Sequence, residues 1–580
     1  MVERIKSLVI RCESVRNLSI SEDSVNEVKE IYAVSKEISN KLYRKLISLV
    51  WDVGDIILYQ QQLKKARDWK SWHSAAEQID RIEGKDEWKK REQSPLYDYR
   101  LLRRRLKLIR SLRQQDDIPA LVHHLRSGLL RGLGGSLNST LYTKTLVDTK
   151  QLIVEYQDEV SNALRHVLHS PKYPLLEKVK FFSASRYAFG KTALLMSGGG
   201  GLGLYHLGVV KALYDQGLLP RIICGTSAGS MVASFIGTTK WEDIPKWFGK
   251  GALKYGPFEG LAKGSVQRKI RRLFKQGHLM DSKTLEVFLR ANLGEVTFEE
   301  AYEATGIILN ITVSESGSFD DFRLLNYLTA PHVLVWSAAL ASCAIPFVFQ
   351  SVELKCKDYN GQTVPFHPSG LKFIDGTIKA DLPTQKLAEM FNVNAFIVSQ
   401  TNPWVLPFLT PEDGGGTWGD SFKFKLFKAV KRLIMMEFRH RVQQLNLLDL
   451  SSTLTWFLSI FTQEYRGHVT IWPVPSLKDY VNILSNPTDE DIQRCVRKGQ
   501  LRTFPKINML KSIMVIEKTF ESCYHELRDR IHAQDRRSRF SFDGQPEETM
   551  LKESLYQAEF DIIPDIKDEF EHEEVIVDAQ

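Results

Sequence analysis

The spacing of apolar residues divides the chain into regions of different architecture. In Glu30–Gln62, Leu42, Leu46, Leu49, Val53 and Ile56 recur at helical steps and share one face. Lys64–Trp88 is charged and largely helical in pattern, and Trp69, Trp72 and Trp88 are expected to pack onto a neighbour. Tyr99–Arg113 interleaves Leu101, Leu102, Leu106, Ile109 and Leu112 with Arg100, Arg103, Arg104, Arg105, Lys107, Arg110 and Arg113. That predicts an amphipathic helix whose basic side is either a solvated face or a contact for membrane or phosphate. From Phe182 the pattern changes to short apolar runs: Thr192–Met196, Arg221–Cys224, Ile307–Val313, Leu371–Ile374 and Asn394–Val398. These suit buried, mainly parallel strands. Helices are predicted over Leu204–Gln216 and from Ser230, and Trp241–Glu300 reads as a long helical insertion, either a cap or a layer. It carries Lys263, Arg268, Lys269, Arg271, Arg272 and Lys275.

Helical spacing returns after the last strand. In Phe422–Arg441, Phe424, Phe427, Val430, Ile434 and Phe438 alternate with Lys423, Lys425, Lys428, Lys431, Arg432 and Arg439, a pattern suited to a membrane surface. Leu445–Phe461 is more apolar and reads equally as a buried helix or a monotopic anchor. Thr488 and Asp491 have the spacing of a capping box, and Met509–His532 reads as a long closing helix. The expected organisation is a helical accessory region over 1–150, an α/β catalytic domain over 182–398, a helical region over 399–532 and an acidic tail over 533–580.

The candidate chemistry lies at the ends of the predicted strands. Gly225-Thr226-Ser227-Ala228-Gly229 follows one strand and opens a helix, the context of a nucleophile elbow. Flanking glycines let strand and helix approach, and the helix N-terminus favours developing negative charge at Ser227. A Gly–Ser turn without chemistry has the same local sequence. Ser197 and the glycines up to Gly203 follow an earlier strand. A dinucleotide fingerprint there lacks its acid, because no Asp or Glu occurs between Asp215 and Glu242. Gly190-Lys191-Thr192 is like the end of a phosphate loop, but it precedes the strand and Ser185 occupies the first glycine position. The remaining reading is a cradle of backbone N–H groups serving an oxyanion. A serine needs a base. Of the histidines, His206 and His332 merit attention, but neither sits at the end of a late strand. Asp375 does, in Phe373-Ile374-Asp375-Gly376, although an ordinary Asp–Gly turn reads the same way.

Taken in order, Gly-Gly-Gly-x-x-Gly, Gly-x-Ser-x-Gly and Asp-Gly resemble the patatin-like phospholipase and lipase family. Asn326–Pro331, Ser337–Ser342 and Asp375-Gly376-Thr377 with Asp381-Leu382-Pro383 resemble its fungal and plant triacylglycerol lipase branch, as does Ser197 in place of the Asp that opens many patatin loops. Roughly Ile31–Lys150 resembles the helical region preceding the lipase domain in that branch. The resemblance implies a three-layer α/β/α sandwich with a mainly parallel sheet and helical extensions. It implies Ser227 as nucleophile and Asp375 as base of a Ser–Asp dyad, within the elbow glycines Gly225 and Gly229. Gly199, Gly200, Gly201 and Gly203 would form the oxyanion hole. It further implies hydrolysis of acylglycerol, foremost triacylglycerol, at a lipid droplet or the cytoplasmic face of the endoplasmic reticulum membrane. Phospholipid is the alternative substrate. No cofactor and no metal are expected. The His-x-x-x-x-Asp signature of glycerolipid acyltransferases is absent from the sequence, so any acyl transfer would pass through Ser227.

Composition bounds the alternatives. Six cysteines without metal spacing suit a reducing compartment, with Cys224 and Cys343 in apolar runs. Met1–Lys6 does not read as a secretory signal, and no stretch reaches 18 uninterrupted apolar residues. The net charge of +8 divides into −11 for Ser541–Gln580, from 13 acidic and 2 basic residues, and +19 for the remainder. A basic body favours an acidic partner. Without a zinc finger or RNP-like aromatics, an anionic lipid surface fits better than nucleic acid. A catalytically silent droplet scaffold is the non-enzymatic alternative.

Overall fold

The computed structural model describes residues 54–538 except 255, 259–277, 317–321, 347, 377–381, 407–408 and all of 410–466 but scattered helical positions between 426 and 444. Of the helix predicted over Glu30–Gln62, residues 54–62 are helical and residues 30–53 lie outside the described residues, as do the basic run Lys263–Lys275, the apolar segment Leu445–Phe461 and residues 539–580 of the acidic tail; the closing helix runs to Ser538, into the span assigned to that tail.

The strands are β1 (Lys191–Met196), β2 (Ile222–Gly225), β3 (Ile308–Glu315), β4 (Arg323–Leu325), β5 (Val352–Glu353), β6 (Lys355–Lys357), β7 (Thr363–Pro365), β8 (Lys372–Asp375), β9 (Val393–Ser399) and β10 (Val469–Ile471). An eight-stranded sheet runs β10-β9-β1-β2-β3-β8-β5, with β4 also paired to β3, while β6 and β7 form a separate ribbon. β10, β9, β1, β2 and β3 are parallel, whereas β4 and β8 run antiparallel to β3. The period of two then sorts side chains between the sheet's faces. Leu194, Met196, Ile223, Leu309 and Ile311 enter one core, and Ala193, Leu195, Ile222, Cys224 and Ile308 enter another with Leu387 and Phe391. Helices cover both faces, so a mostly parallel sheet lies inside an α/β architecture.

Label the helices used below α1 (Trp69–Ile82), α2 (Tyr99–Gln114), α3 (Gln151–His169), α4 (Leu204–Asp215), α5 (Ala228–Gly237), α6 (Val335–Ser342), α7 (Leu477–Val481), α8 (Asp489–Thr503) and α9 (Ile507–Ser538). Leu102, Leu106 and Ile109 of α2 are buried. Part of its basic side is ion-paired: Arg103 with Glu92, and Arg110 and Arg113 with Glu159 of α3. Trp69 and Trp72 stack at 5.2 Å and meet Phe504. One arginine, its side chain 7% exposed, joins three regions. Arg131 pairs with Glu517 of α9 at 3.0 Å and donates to the Gly190 carbonyl at the foot of β1, while Glu517 accepts the Thr192 N–H.

The expected helical insertion between Trp241 and Glu300 is helical in three described segments. Pro245 lies in a 3₁₀ segment over Trp241–Phe248, Asp281 caps a new helix over Ser282–Leu293, and a Thr297–Glu300 capping box starts another over Phe298–Thr305. Proline and two N-caps set the bounds of these segments. The Thr488–Asp491 capping box forms at the start of α8. Among the described residues, no helix is long and apolar enough to cross a membrane.

Candidate active site

Parallel register brings Met196, Gly225 and Ser399 side by side at the carboxyl ends of β1, β2 and β9. That edge is where an α/β sheet exposes loops to a ligand. β2 ends at Gly225, and Ser227 takes φ 52° and ψ −127° before α5 begins. This backbone is uncommon for a residue with a Cβ and costs roughly 1–3 kcal/mol. The tight approach explains the flanking glycines. A Cβ on Gly229 would stand 2.1 Å from the Met196 carbonyl oxygen, and one on Gly225 would stand 2.4 Å from that of Gly229.

The C-terminal turn of α6 holds the elbow. The Ser227 N–H donates to Ser342 Oγ at 2.9 Å, and Ser342 Oγ donates to the Thr312 carbonyl of β3 at 2.7 Å. Two residues further on, the Ala344 carbonyl accepts the Asp375 N–H at 3.1 Å. Asp375 ends β8 opposite Val313, next to Thr312 on the same strand. Thus Ser342 and Ala344 anchor the backbones of Ser227 and Asp375 from one turn, while β3 separates their strands. Both residues are buried, Ser227 at 3% and Asp375 at 0% exposure. Between them in sequence, burial pushes the Cys343 thiol up, and the charge of Asp375 adds to the shift. Cys343 Sγ lies 3.9 Å from Ser230 Oγ on the first turn of α5.

The glycine-rich loop lies beside the elbow. Gly200–Gly203 form a 3₁₀ turn leading into α4. Gly200 has φ +54°, a conformation that favours glycine. The Gly201 N–H donates to the Ile483 carbonyl at 2.7 Å, so one of the four candidate oxyanion donors already has a protein acceptor. The base of the loop is fixed by Ser197, whose Oγ accepts the Thr401 N–H at 2.8 Å and donates to the Gly198 carbonyl at 3.0 Å.

His206 serves that same anchorage. It is fully buried, with Nε2 2.9 Å from the Ser197 carbonyl and Nδ1 2.6 Å from Ser399 Oγ. A carbonyl can only accept, so Nε2 carries the proton and Nδ1 accepts from the serine. Burial lowers its pKa to about 4, outweighing the backbone hydrogen bond that favours the cation. His332 is an exposed residue 3.5 Å from Glu299. For His206 the sign of the pH effect follows directly. Between about pH 6.5 and about 4 the unfolded chain binds a proton that the folded state refuses, so stability falls as pH drops through that window. The full effect is roughly 3 kcal/mol. Urea unfolding across this range is expected to show a flatter loss for His206→Asn than for the wild type, and parallel curves would remove His206 from the account.

Sequence reasoning did not assign roles to Ser342, Thr312, Thr401 or Ile483. Ser342 closes the Ser337–Ser342 stretch, but only the fold reveals that its hydroxyl meets the Ser227 N–H.

Comparison with known proteins follows the same division of the chain. The patatin-like phospholipase family model matches residues 194–388, and a model described as a domain of unknown function (DUF3336) matches residues 50–187. Triacylglycerol lipase SDP1L of Arabidopsis thaliana is 36% identical over 480 residues, covering 80% of this chain and 58% of its own length. Triacylglycerol lipase ptl3 of Schizosaccharomyces pombe is 34% identical over 472 residues, with shares of 80% and 97%. Triacylglycerol lipase 4 of Saccharomyces cerevisiae is 37% identical over 468 residues, with shares of 78% and 51%. The chain therefore spans just over half of the plant and budding-yeast relatives and nearly all of the fission-yeast one.

Proposed function

Because this chain belongs to the patatin-like phospholipase family, we propose that it is a serine acyl hydrolase that cleaves fatty-acyl esters of triacylglycerol with Ser227 and Asp375. The observation that carries the reading is the shared anchorage of the two residues: Ser342 holds the Ser227 N–H, and Ala344 holds the Asp375 N–H. Ser227 Oγ attacks the ester carbonyl as its proton passes to Asp375. N–H groups of the loop carrying Gly199, Gly200 and Gly203 serve the developing oxyanion, with α5 adding its positive end, while the Gly201 N–H stays with the Ile483 carbonyl. Collapse breaks the ester C–O bond, and Asp375 returns the proton to the departing alcohol. Water then adds to the acyl-serine, Asp375 takes its proton, and Ser227 regains it as the fatty acid leaves. Burial keeps bulk water from competing for these hydrogen bonds.

Triacylglycerol is proposed from the names of the relatives, and the family description supports phospholipid as the second reading. Product analysis on both emulsions with purified protein separates them: free fatty acid with diacylglycerol supports the first, and lysophospholipid supports the second. A serine-reactive fluorophosphonate that labels the wild type but not Ser227→Ala argues against a silent scaffold. Gly200→Val is expected to lower turnover about a hundredfold, the loss of one oxyanion donor, or about 3 kcal/mol. A folded Gly200→Val protein with wild-type kcat would move the oxyanion hole elsewhere.

The proposed location is a lipid surface, either a droplet or the cytoplasmic face of the endoplasmic reticulum membrane. Within Phe422–Arg441, the helical positions Leu426, Val430, Leu433 and Met436 are 45–64% exposed and recur at helical spacing, as a surface-bound helix requires. The sequence-predicted anchors Phe424, Phe427, Ile434 and Phe438 lie outside the described residues.

A further inference from the structure

The segment from Val474 to Ile483 has two unlike sides. Its inner side is tied to the glycine-rich loop. Asp479 of α7 is buried and accepts from Tyr205 Oη at 2.9 Å, while Arg494 and Lys498 of α8 lie 2.9 and 3.5 Å from its carboxylate. Tyr205 belongs to α4, the helix that follows the loop. The same carboxylate accepts the Ser476 N–H, closing a capping box that fixes the start of α7. Tyr480 of α7 and Ile483 just beyond it pack against the cluster of Leu202 and Tyr205, and the Ile483 carbonyl takes the Gly201 N–H.

The outer side faces solvent with apolar groups. Leu477 and Val481 are 85% and 81% exposed, and their i,i+4 spacing places them on one face of α7. Val474, three residues upstream, is 58% exposed and borders a hollow with Leu63, Lys64, Lys498 and Leu501. Lys478, between the two α7 residues, is 65% exposed. Isolated exposed hydrophobics are ordinary. Here they cluster on a short element braced from behind by buried charge, beside lysines that suit an anionic surface.

We propose that Val474, Leu477 and Val481 form an interfacial docking surface that seats the glycine-rich loop against an anionic lipid layer. The proposal rests on the acyl-hydrolase reading and names the surface from which that site draws its substrate. Apolar side chains enter the acyl boundary while Lys64 and Lys478 meet the headgroups. The Asp479 brace and the Ile483 carbonyl hold this contact at a constant position relative to Gly201.

The test uses the full chain carrying Leu477→Ser and Val481→Ser, changes at exposed positions. Flotation with mixed phosphatidylcholine–phosphatidylserine vesicles, in the Ser227→Ala background, reads binding without hydrolysis. The bound-to-free ratio is expected to fall about tenfold or more. In the Ser227-containing protein, turnover of a soluble short-chain ester is expected to remain within about twofold, whereas release of fatty acid from a lipid emulsion falls about tenfold. Lys478→Glu should weaken flotation on these vesicles and leave binding to pure phosphatidylcholine vesicles unchanged. Wild-type flotation by the double variant would overturn the proposal. So would joint loss of melting temperature and soluble-ester turnover, since the face would then be internal packing. Absence of ester turnover in the wild type would instead reject the hydrolase reading and leave the flotation result standing.

Discussion

Ser227→Ala is expected to abolish acyl-ester hydrolysis, lowering kcat about a thousandfold or more, the scale of losing a catalytic serine. Folding should survive the change for local reasons. Alanine keeps the Cβ and adds no bulk at φ 52°, so the elbow's strain is unaltered. Its contact with Ser342 runs through the backbone N–H, and the Ser227 carbonyl still accepts from Ser230 Oγ at 2.6 Å. Circular dichroism and the melting temperature should therefore match the wild type while ester turnover and fluorophosphonate labelling disappear. A purified variant that retains more than a few per cent of turnover cannot use Ser227 as its nucleophile. Ser342→Ala makes a useful contrast. It removes the acceptor for the Ser227 N–H and leaves the nucleophile in place, so it should slow the reaction without abolishing labelling.

Much of this arrangement is legible in the sequence because it depends on local rules. Short apolar runs leading into glycine-rich turns mark β1 and β2, and the period of two divides Leu194 and Met196 from Ala193 and Leu195. The elbow can be read because Gly225 and Gly229 meet backbone atoms that leave no space for a side chain. What could not be read depends on distant segments. His206 has the spacing of any helical residue, and only the approach of Ser399 at the end of β9 and Thr401 just after it turns it into a buried neutral clamp. Ile483 lies far along the chain from Gly201, so nothing in either local pattern couples them. The insertion after α5 is helical as expected in its described segments, and Pro245 with the caps at Asp281 and Thr297 sets where those segments begin and end.

Asp375→Asn is the companion test. Asparagine preserves size and the N–H bond to Ala344, and its backbone can keep the pairing of β8 with Val313. It cannot accept the serine proton at neutral pH. Hydrolysis is therefore expected to fall about a thousandfold, nearly as far as in Ser227→Ala, with fluorophosphonate labelling slowed because Ser227 Oγ remains but loses its base. Shortening the residue separates base from scaffold. In Asp375→Ala, the missing carboxylate leaves a buried space beside β3, and added formate is expected to restore part of the turnover while sodium chloride at equal ionic strength restores none. A gain from formate would identify a carboxylate at this position as the lost proton acceptor. If Asp375→Asn instead labelled and turned over like the wild type, another base would be required. His206 could serve only by giving up its bonds to the Ser197 carbonyl and Ser399 Oγ, which would unfasten the foot of the glycine-rich loop on which the same reaction depends.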